Sequence, residues 1–487
     1  MRFDHLGRMA IAALVVMTGS ASNAVLARAA PPPLPDPAIV PADGPPGPQQ
    51  TMRQSTRCAH PVVIAEPNVS ELAPGLGILN IRDAWQYSTG NGVAVAVIDT
   101  GISPNTRLPV LPGGDYIMGG DGLTDCDAHG TIVASLIAAA PQGFPPPTPM
   151  PVRRAFPAPS VAASTPAAPA AEPAVPDGVV GVAPHATLIS IRQTSRAFAP
   201  QNPQHGDPAT AGTLATLARA VVHAANLGAK VINVGVTECL STAETLDQRE
   251  IAAAVWYAAT VKDVVIVTAA GNEGEDGCVQ NPAALDPPGL ASRGWHQLAT
   301  ISSPSWFADY VLAVGAVDIA GAPIAKSLAG PWVGVAAPGM GITGLSPQGG
   351  AAVNAYPPMR PGEAAVPFWG TSFSAAYVSG VAALVRAKYP NLTAREVIRR
   401  IQQTAHSPAR GVDNRVGHGV VDPVAALTFD VGAGEGLPPH PRTRALSRPT
   451  PPPPADQRAL RVAVTFAVAA AVCALLAGAI GRARRAR

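Results

Sequence analysis

Four short runs of this sequence are almost continuously apolar, and helix-forming segments alternate with them. The runs cover residues 93–98 (VAVAVI), 187–191 (TLISI), 231–236 (VINVGV) and 264–267 (VVIV). A strand that is apolar on both faces is typical of the interior of a parallel sheet. Helical segments are predicted over residues 130–140, 214–227 and 248–260. Strands and helices in this alternation predict an α/β fold with a parallel sheet flanked by helices.

Two polar residues stand where predicted strands end. Asp99 closes the first apolar run, and Asn272 lies just beyond the fourth. Ligand sites in open α/β sheets form at the carboxyl ends of strands. A carboxylate there can orient a catalytic base, and an amide N–H can donate to a developing oxyanion. Each residue also has a purely structural interpretation, since Asp-Thr-Gly and Gly-Asn are common turn sequences.

Two further candidates stand at the start of predicted helices. His129 opens the segment HGTIVASLIAA, and Ser372 lies in GTSFSAAYVSG. A helix holds a base rigidly, and the free N–H groups and positive dipole end at a helix start favour negative charge. The structural alternatives are a surface histidine near a helix cap and an N-cap serine, which is common.

The four candidates follow one another along the chain as Asp, His, Asn and Ser, and Asp…His…Ser is the order found in subtilisin. The segments VIDTG, HGTIVA, AAGN and GTSFSA resemble the four signature segments of the subtilisin-like serine proteases. The resemblance implies a serine endopeptidase with Ser372 as nucleophile and His129 as general base. It further implies that Asp99 orients His129, and that Asn272 forms an oxyanion hole with the backbone N–H of Ser372.

The resemblance also implies substrate-binding segments, which are the substrate-pairing strand (Val234, Gly235, Val236) and the wall of the pocket for the residue before the cut (Ala269, Ala270, Gly271). The family's usual Ser-Leu-Gly-Gly is replaced by Gly-Val-Thr, so specificity cannot be carried over. Ala376 stands where subtilases usually have Pro, a change expected to affect only the start of the helix. No calcium loop is evident, and neither a metal nor another cofactor is predicted.

Both ends of the chain predict export and membrane anchoring. A basic start, the apolar run 9–17 and small residues predict a signal peptide over residues 1–30, with an uncleaved N-terminal helix as the alternative. Residues 462–481 are uncharged and long enough for a hydrocarbon core of about 30 Å, so a transmembrane helix is predicted over residues 459–481. The alternative is a buried Ala-rich helix. The Arg-rich tail 482–487 predicts a cytoplasmic C-terminus, and hence a single-pass cell-membrane protein with an extracytoplasmic, periplasmic catalytic domain.

Proline-rich segments divide the rest of the chain. We predict a Pro-rich N-terminal extension over residues 31–70, a catalytic domain over 71–430 with a Pro/Ala-rich insertion at 141–177, and a Pro-rich stalk over 431–458. Outside the predicted span lie Cys58, Cys126, Cys239 and Cys278, which predict two disulfides in an oxidising compartment. Spacing alone leaves all three connectivities open. A net charge of +2 gives no indication of a nucleic-acid partner.

This layout resembles that of the mycosins, subtilases associated with mycobacterial type VII secretion systems. The resemblance implies the disulfides Cys58–Cys126 and Cys239–Cys278, and an N-terminal extension that wraps the catalytic domain. It also implies secreted protein substrates and, as partners, components of the type VII secretion membrane complex.

Four functions compete for this sequence. The first is an active endopeptidase, and the second is a scaffold that stabilises the secretion complex. An α/β-hydrolase esterase would need a Gly-x-Ser-x-Gly elbow and the order Ser, acid, His, which this chain lacks. A vestigial triad is opposed by the four suitable residue types at Asp99, His129, Asn272 and Ser372.

Overall fold

The structure is a computed structural model, and it describes part of the 487-residue chain. The described residues are 31–142, 177–204, 209–242, 247–275, 277–282, 295, 298–358, 360, 362–409, 411–432, 477, 478 and 480. The predicted signal peptide and cytoplasmic tail lie outside them. So do most of the predicted insertion, stalk and transmembrane helix. Among the described residues, no helix is both long enough and apolar enough to cross a membrane.

The strands in chain order are β1 (Met52–Gln54), β2 (Ala94–Asp99), β3 (Val110–Asp115), β4 (Thr187–Arg192), β5 (Phe198–Pro200), β6 (Val231–Val234), β7 (Glu238–Ser241), β8 (Val265–Ala269), β9 (Thr300–Ser303), β10 (Val311–Val317), β11 (Val333–Pro338), β12 (Gly344–Leu345), β13 (Ala352–Val353), β14 (Ala355–Tyr356) and β15 (Val366–Pro367). The α-helices are α1 (Pro74–Ile78), α2 (Ile81–Ala84), α3 (His129–Ala138), α4 (Leu214–Asn226), α5 (Arg249–Trp256), α6 (Thr371–Lys388), α7 (Ala394–Gln403) and α8 (Pro423–Thr428).

Seven of these strands form one central sheet in the order β11-β10-β8-β6-β2-β4-β3. Every neighbouring pair in it is parallel. After β2 the chain forms β3 and β4 on one side of it and then crosses to β6 on the other, so β2 lies at a switch point of the strand order. Crevices at such points, beyond the carboxyl ends of the strands, are the usual ligand sites of open sheets.

The sheet is buried on both faces, which explains its apolar sequence runs. In β2, Val95 and Val97 pack in the same core as α3 and α6, whereas Ala96 and Ile98 face the core that contains α4 and α5. Side chains of a strand point alternately to the two faces, so a strand covered on both sides needs apolar residues throughout. The predicted α/β fold with a parallel sheet flanked by helices is confirmed.

The observed element bounds differ from the sequence pattern by a few residues. The predicted helix 248–260 is an α-helix only over Arg249–Trp256 and continues as a π-helix over Tyr257–Val261. The predicted strand 231–236 ends at Val234, and that over 264–267 becomes Val265–Ala269. These differences shift the ends of helices and strands without changing their order along the chain.

The N-terminal extension contacts the catalytic domain at several points. Strand β1 pairs antiparallel with β5, and Cys58 is bonded to Cys126 just before α3. Further upstream, the Asp43 carboxylate accepts hydrogen bonds from His223 and Asn226 on α4, at 2.8 and 3.0 Å. The second disulfide joins Cys239 to Cys278. Both pairs are those that the resemblance to mycosins implies.

Candidate active site

Asp99 is the last residue of β2 and is fully buried. Its Oδ1 atom accepts the backbone N–H of Thr100 at 2.8 Å and lies 2.7 Å from Nδ1 of His129. A Cβ atom built on Gly235 would lie only 2.0 Å from the other carboxylate oxygen, Oδ2. The hydrogen bonds of Oδ1 therefore position the Asp99 carboxylate, and the absence of a side chain at Gly235 leaves room for Oδ2. The turn-capping interpretation is also partly correct, since Oδ1 serves both Thr100 and His129.

His129 is the first residue of α3 and bridges Asp99 and Ser372. Its Nε2 atom lies 2.8 Å from Oγ of Ser372, opposite the Nδ1 contact with Asp99. Burial opposes protonation of the imidazole, but the charge and hydrogen bond of Asp99 outweigh it, so the pKa of His129 is raised above its ordinary value of 6.5. The imidazole is thus a base whose charged form the site stabilises.

Ser372 is the second residue of α6, and Gly370 is the N-cap of that helix. Ser372 is therefore not an N-cap serine, and its hydroxyl is directed to His129. A Cβ atom on Gly370 would lie 3.3 Å from Nδ2 of Asn272 and 3.5 Å from Oγ of Ser372. The missing side chain leaves open the space between the amide and the hydroxyl, at the positive end of an 18-residue helix.

Asn272 follows β8, and Thr371 holds the oxygen end of its side-chain amide. The side-chain Oδ1 accepts the backbone N–H and the hydroxyl of Thr371, each at 3.0 Å. These two donors settle the orientation of the amide, so Nδ2 is its donor end. Asn272 is therefore held beside Ser372 by the residue that begins α6.

A second buried carboxylate, Asp125, connects the segments that carry Asp99 and His129. Asp125 accepts the hydroxyl of Thr100 at 2.9 Å, and the backbone N–H and hydroxyl of Thr131 at 2.8 and 2.7 Å. Burial raises its pKa to about 7, because the charge of Asp99 adds to desolvation and the three hydrogen bonds only partly oppose it. Neither Asp125 nor Thr371 was predicted as a site residue from the sequence. Their positions, four residues before His129 and one before Ser372, were the available signal.

The predicted substrate-binding segments border this site. Val234 is fully buried and paired with both β2 and β8, so only Gly235 and Val236 of the predicted pairing strand lie beyond the sheet. Along the predicted pocket wall, Ala269 and Ala270 are buried. Gly271, at φ +110°, donates its N–H to the hydroxyl of Thr371. Among the residues that the structure describes, no cluster of three or more His, Cys, Asp or Glu side chains could hold a metal ion.

The chain is similar to known proteins over most of its length. A sequence model of the Subtilase family matches residues 90–419. Mycosin-2 of Mycobacterium tuberculosis is 55% identical over 540 aligned residues, which cover 98% of either chain. The crystal structure of MycP1 from the ESX-1 type VII secretion system superposes with a TM-score of 0.73 at 42% identity, over 84% of this chain and 99% of that one.

A third comparison is with a structure of the periplasmic assembly from the ESX-5 inner membrane complex. The matched chain has a TM-score of 0.72 and is 47% identical, over 87% of this chain and 100% of that one. Matches of this extent and identity cover the segments carrying Asp99, His129, Asn272 and Ser372. The chain therefore belongs to the subtilase family of serine proteases and, within that family, to the mycosins.

Proposed function

We propose that this mycosin is a membrane-anchored, extracytoplasmic serine endopeptidase that acts in type VII protein secretion. The observation that carries the proposal is the unbroken series of contacts from Asp99 through His129 to Ser372, at 2.7 and 2.8 Å. A nucleophile within hydrogen-bond reach of a base, which a third group orients, is the arrangement used for acyl transfer.

In this proposal the Ser372 hydroxyl attacks the carbonyl carbon of a peptide bond while Nε2 of His129 takes its proton. His129 then gives that proton to the leaving amine, and a water molecule releases the acyl group by the same steps in reverse. Asp99 stabilises the imidazolium that forms in between. Nδ2 of Asn272 and the backbone N–H of Ser372 donate to the oxyanion, aided by the dipole of α6.

We further propose the domain boundaries given by the sequence. They are a signal peptide (1–30), an N-terminal extension (31–70), a catalytic domain (71–430) with an insertion (141–177), a stalk (431–458), a transmembrane helix (459–481) and a cytoplasmic tail (482–487). The uncharged run 462–481 and the arginines after it support this topology. A related chain belongs to a periplasmic assembly of an inner membrane complex, which supports a periplasmic location for the catalytic domain.

A second role, stabilising a secretion complex, is favoured by a different observation. A chain 47% identical to this one is part of the ESX-5 inner membrane complex. Protein contacts in such an assembly do not depend on the hydroxyl of Ser372. We therefore propose that the protein binds components of a type VII membrane complex in addition to cleaving secreted substrates.

The proteolytic role is tested by labelling the full chain with a fluorophosphonate probe. We expect one adduct on Ser372, no adduct in Ser372→Ala, and a labelling rate that falls as His129 becomes protonated. Absence of the adduct in folded wild-type protein would show that the triad is vestigial.

The two roles are separated by a secretion assay in cells. If Ser372→Ala supports secretion but deletion of the chain abolishes it, the scaffold role is primary. If both abolish secretion, proteolysis is required. Comparing the secreted proteins of wild type and Ser372→Ala would then identify the cleaved substrates.

A further inference from the structure

The amide of Asn272 already has an acceptor in the substrate-free enzyme. Its Nδ2 atom donates to Oε2 of Glu275 at 3.3 Å. Because Oδ1 is occupied by the two donors of Thr371, this N–H end is the donor that the amide presents to the site. The group assigned above to the oxyanion is thus bound to a carboxylate of the same chain.

The Glu275 carboxylate is paired with the guanidinium of Arg196. The guanidinium of Arg196 lies 3.7 Å from Oε2 of Glu275. The Arg196 backbone N–H donates to Oδ1 of Asp127 at 2.8 Å, and the N–H of Ala197 donates to the same atom at 3.2 Å. Asp127 stands two residues before His129. The loop carrying Arg196 is therefore fixed to the segment of the base, while its side chain reaches the loop of Asn272.

We propose that Glu275, held by Arg196, is an autoinhibitory side chain that occupies the oxyanion amide of Asn272 until a substrate displaces it. The proposal rests on the proteolytic function proposed above. An amide nitrogen can donate two hydrogen bonds, but a carboxylate on one of them places a negative charge beside the charge that develops on the substrate carbonyl. Two neighbouring negative charges repel each other, so Glu275 raises the energy of the tetrahedral intermediate unless its carboxylate moves away.

The exposure of the two side chains fits a contact that can open. Glu275 is 38% exposed and Arg196 is 66% exposed. Ion pairs this accessible to water are weak, so substrate binding can separate them. The same weakness sets the size of the effect. Removing the carboxylate is expected to speed the reaction by about 1.5- to fivefold, the range of a weak exposed contact.

The opposite role would give the opposite result. If Glu275 served to position the Asn272 amide, its loss would slow acylation, because a misplaced donor stabilises the oxyanion less. The direction of the rate change therefore distinguishes an inhibitory contact from a supporting one.

The experiment measures the second-order rate of fluorophosphonate labelling of Ser372 in the full chain, together with the inhibition constant of a peptide boronic acid that forms a tetrahedral adduct. For Glu275→Ala we expect labelling about 1.5 to five times faster and boronate binding tighter by a similar factor. Asp247→Ala is the matched control. It breaks another exposed Arg–carboxylate pair, with Arg249 at the start of α5, and its rates are expected to equal those of wild type.

Arg196→Met, made in the wild type and in Glu275→Ala, tests whether Arg196 acts through Glu275. The rates are compared at a pH at which His129 is neutral in every variant, because the charge of Arg196 also lowers the pKa of His129. Under that condition Arg196→Met is expected to speed labelling in the wild type and to have no effect in the Glu275→Ala background. Equal effects in both backgrounds would overturn the holding role of Arg196. If the wild type labels and Glu275→Ala labels at the same rate or more slowly, the autoinhibitory role of Glu275 is overturned and the protease function stands. If neither the wild type nor Glu275→Ala labels, both the autoinhibitory role and the protease function are overturned.

Discussion

Thr371 donates both its backbone N–H and its hydroxyl to the side-chain oxygen of Asn272, each at 3.0 Å. The same hydroxyl oxygen accepts the backbone N–H of Gly271 at 3.1 Å. One threonine thus connects the loop that follows β8 to the start of α6, and it fixes the amide next to the nucleophile. Preorganised donors contribute most to catalysis when they need no rearrangement during the reaction.

Replacing Thr371 by Val tests this arrangement. The substitution keeps the shape and the backbone donor but removes the hydroxyl, which leaves the N–H of Gly271 unpaired and Asn272 less restrained. Loss of one partner of a buried hydrogen bond costs about 1–3 kcal/mol. We expect labelling of Ser372 to be roughly tenfold slower, whereas Thr371→Ser, which keeps the hydroxyl, should stay close to wild type. Equal rates for the Val and Ser variants would contradict the role given to the hydroxyl.

The charge of Asp99 sets the pH dependence of the reaction. His129 must be neutral to act as a base. Burial lowers its pKa, but the charge and hydrogen bond of Asp99, together with the charge of Asp125, raise the pKa above its ordinary value. Wild-type reactivity should therefore fall as the pH drops through a value above 6.5, the ordinary histidine pKa. Asp99→Asn should slow labelling by about 10⁴, and its residual reactivity should persist to lower pH. An unshifted acid limb in this variant would show that another group raises the pKa.

Asp125 should control how stability depends on pH. Its pKa is about 7 in the folded protein, because burial raises it from 3.8. The folded state thus binds a proton that the unfolded state has released, so the free energy of unfolding decreases as the pH rises from about 4 to 7. Each unit of pKa shift corresponds to about 1.4 kcal/mol.

Asp125→Asn removes this titration. We expect the variant to lose less stability than wild type between pH 4.5 and 7.5, as measured by denaturant unfolding. His129 contributes in the same direction in both proteins, since a raised histidine pKa stabilises the fold below its unfolded value and that stabilisation is lost as the pH rises. Asp125 is also one of the charges that raise the pKa of His129, so the substitution reduces the His129 contribution as well, and the difference between the two proteins reports Asp125 directly and through His129. Parallel pH profiles would mean that Asp125 is not the group responsible.

Much of the fold could be predicted because its strongest signals are local. Strand β2 needs apolar residues on both faces, and Asp99 is recognisable as the polar residue that ends it. Strands β10 (VLAVGAV) and β11 (VGVAAP) were not predicted, although they are equally buried and their apolar sequences resemble those of the predicted strands. The π-helical end of α5 depends on packing against the sheet, which a local pattern does not encode.

The candidate site likewise combines residues that local motifs predict with contacts that they do not predict. Its four proposed catalytic residues lie in short motifs whose order carries information. Their supporting contacts join residues far apart in the chain, such as Thr371 with Asn272, or Arg196 with Glu275. Motif spacing says nothing about such pairs, because they arise when strand ends and helix starts meet at one edge of the sheet. This is why Asp125, Thr371 and Glu275 emerged only from the structure.

Gly235 lies against the carboxylate of Asp99, and an alanine there should disturb it. The added Cβ atom would lie 2.0 Å from Oδ2, whereas the other oxygen is fixed by His129 and Thr100. The carboxylate must shift, so we expect Gly235→Ala to slow labelling by at least about tenfold. Gly77→Ala is the control, because nothing lies within 4 Å of the added atom. Normal rates for Gly235→Ala would mean that the backbone moves instead.

The Cys58–Cys126 disulfide should contribute strongly to stability, because it ties the N-terminal extension to the segment just before α3. It closes a loop with a sequence separation of 68, compared with 39 for Cys239–Cys278. In the chain-entropy description, a cross-link over 68 residues stabilises by about 4 kcal/mol and one over 39 by about 0.5 kcal/mol less. We expect Cys58→Ala/Cys126→Ala to lower the free energy of unfolding by about 2–4 kcal/mol in denaturant titrations, and Cys239→Ala/Cys278→Ala to lower it slightly less. A negligible loss in the first variant would mean that the contacts of β1 and Asp43 hold the extension without the covalent link.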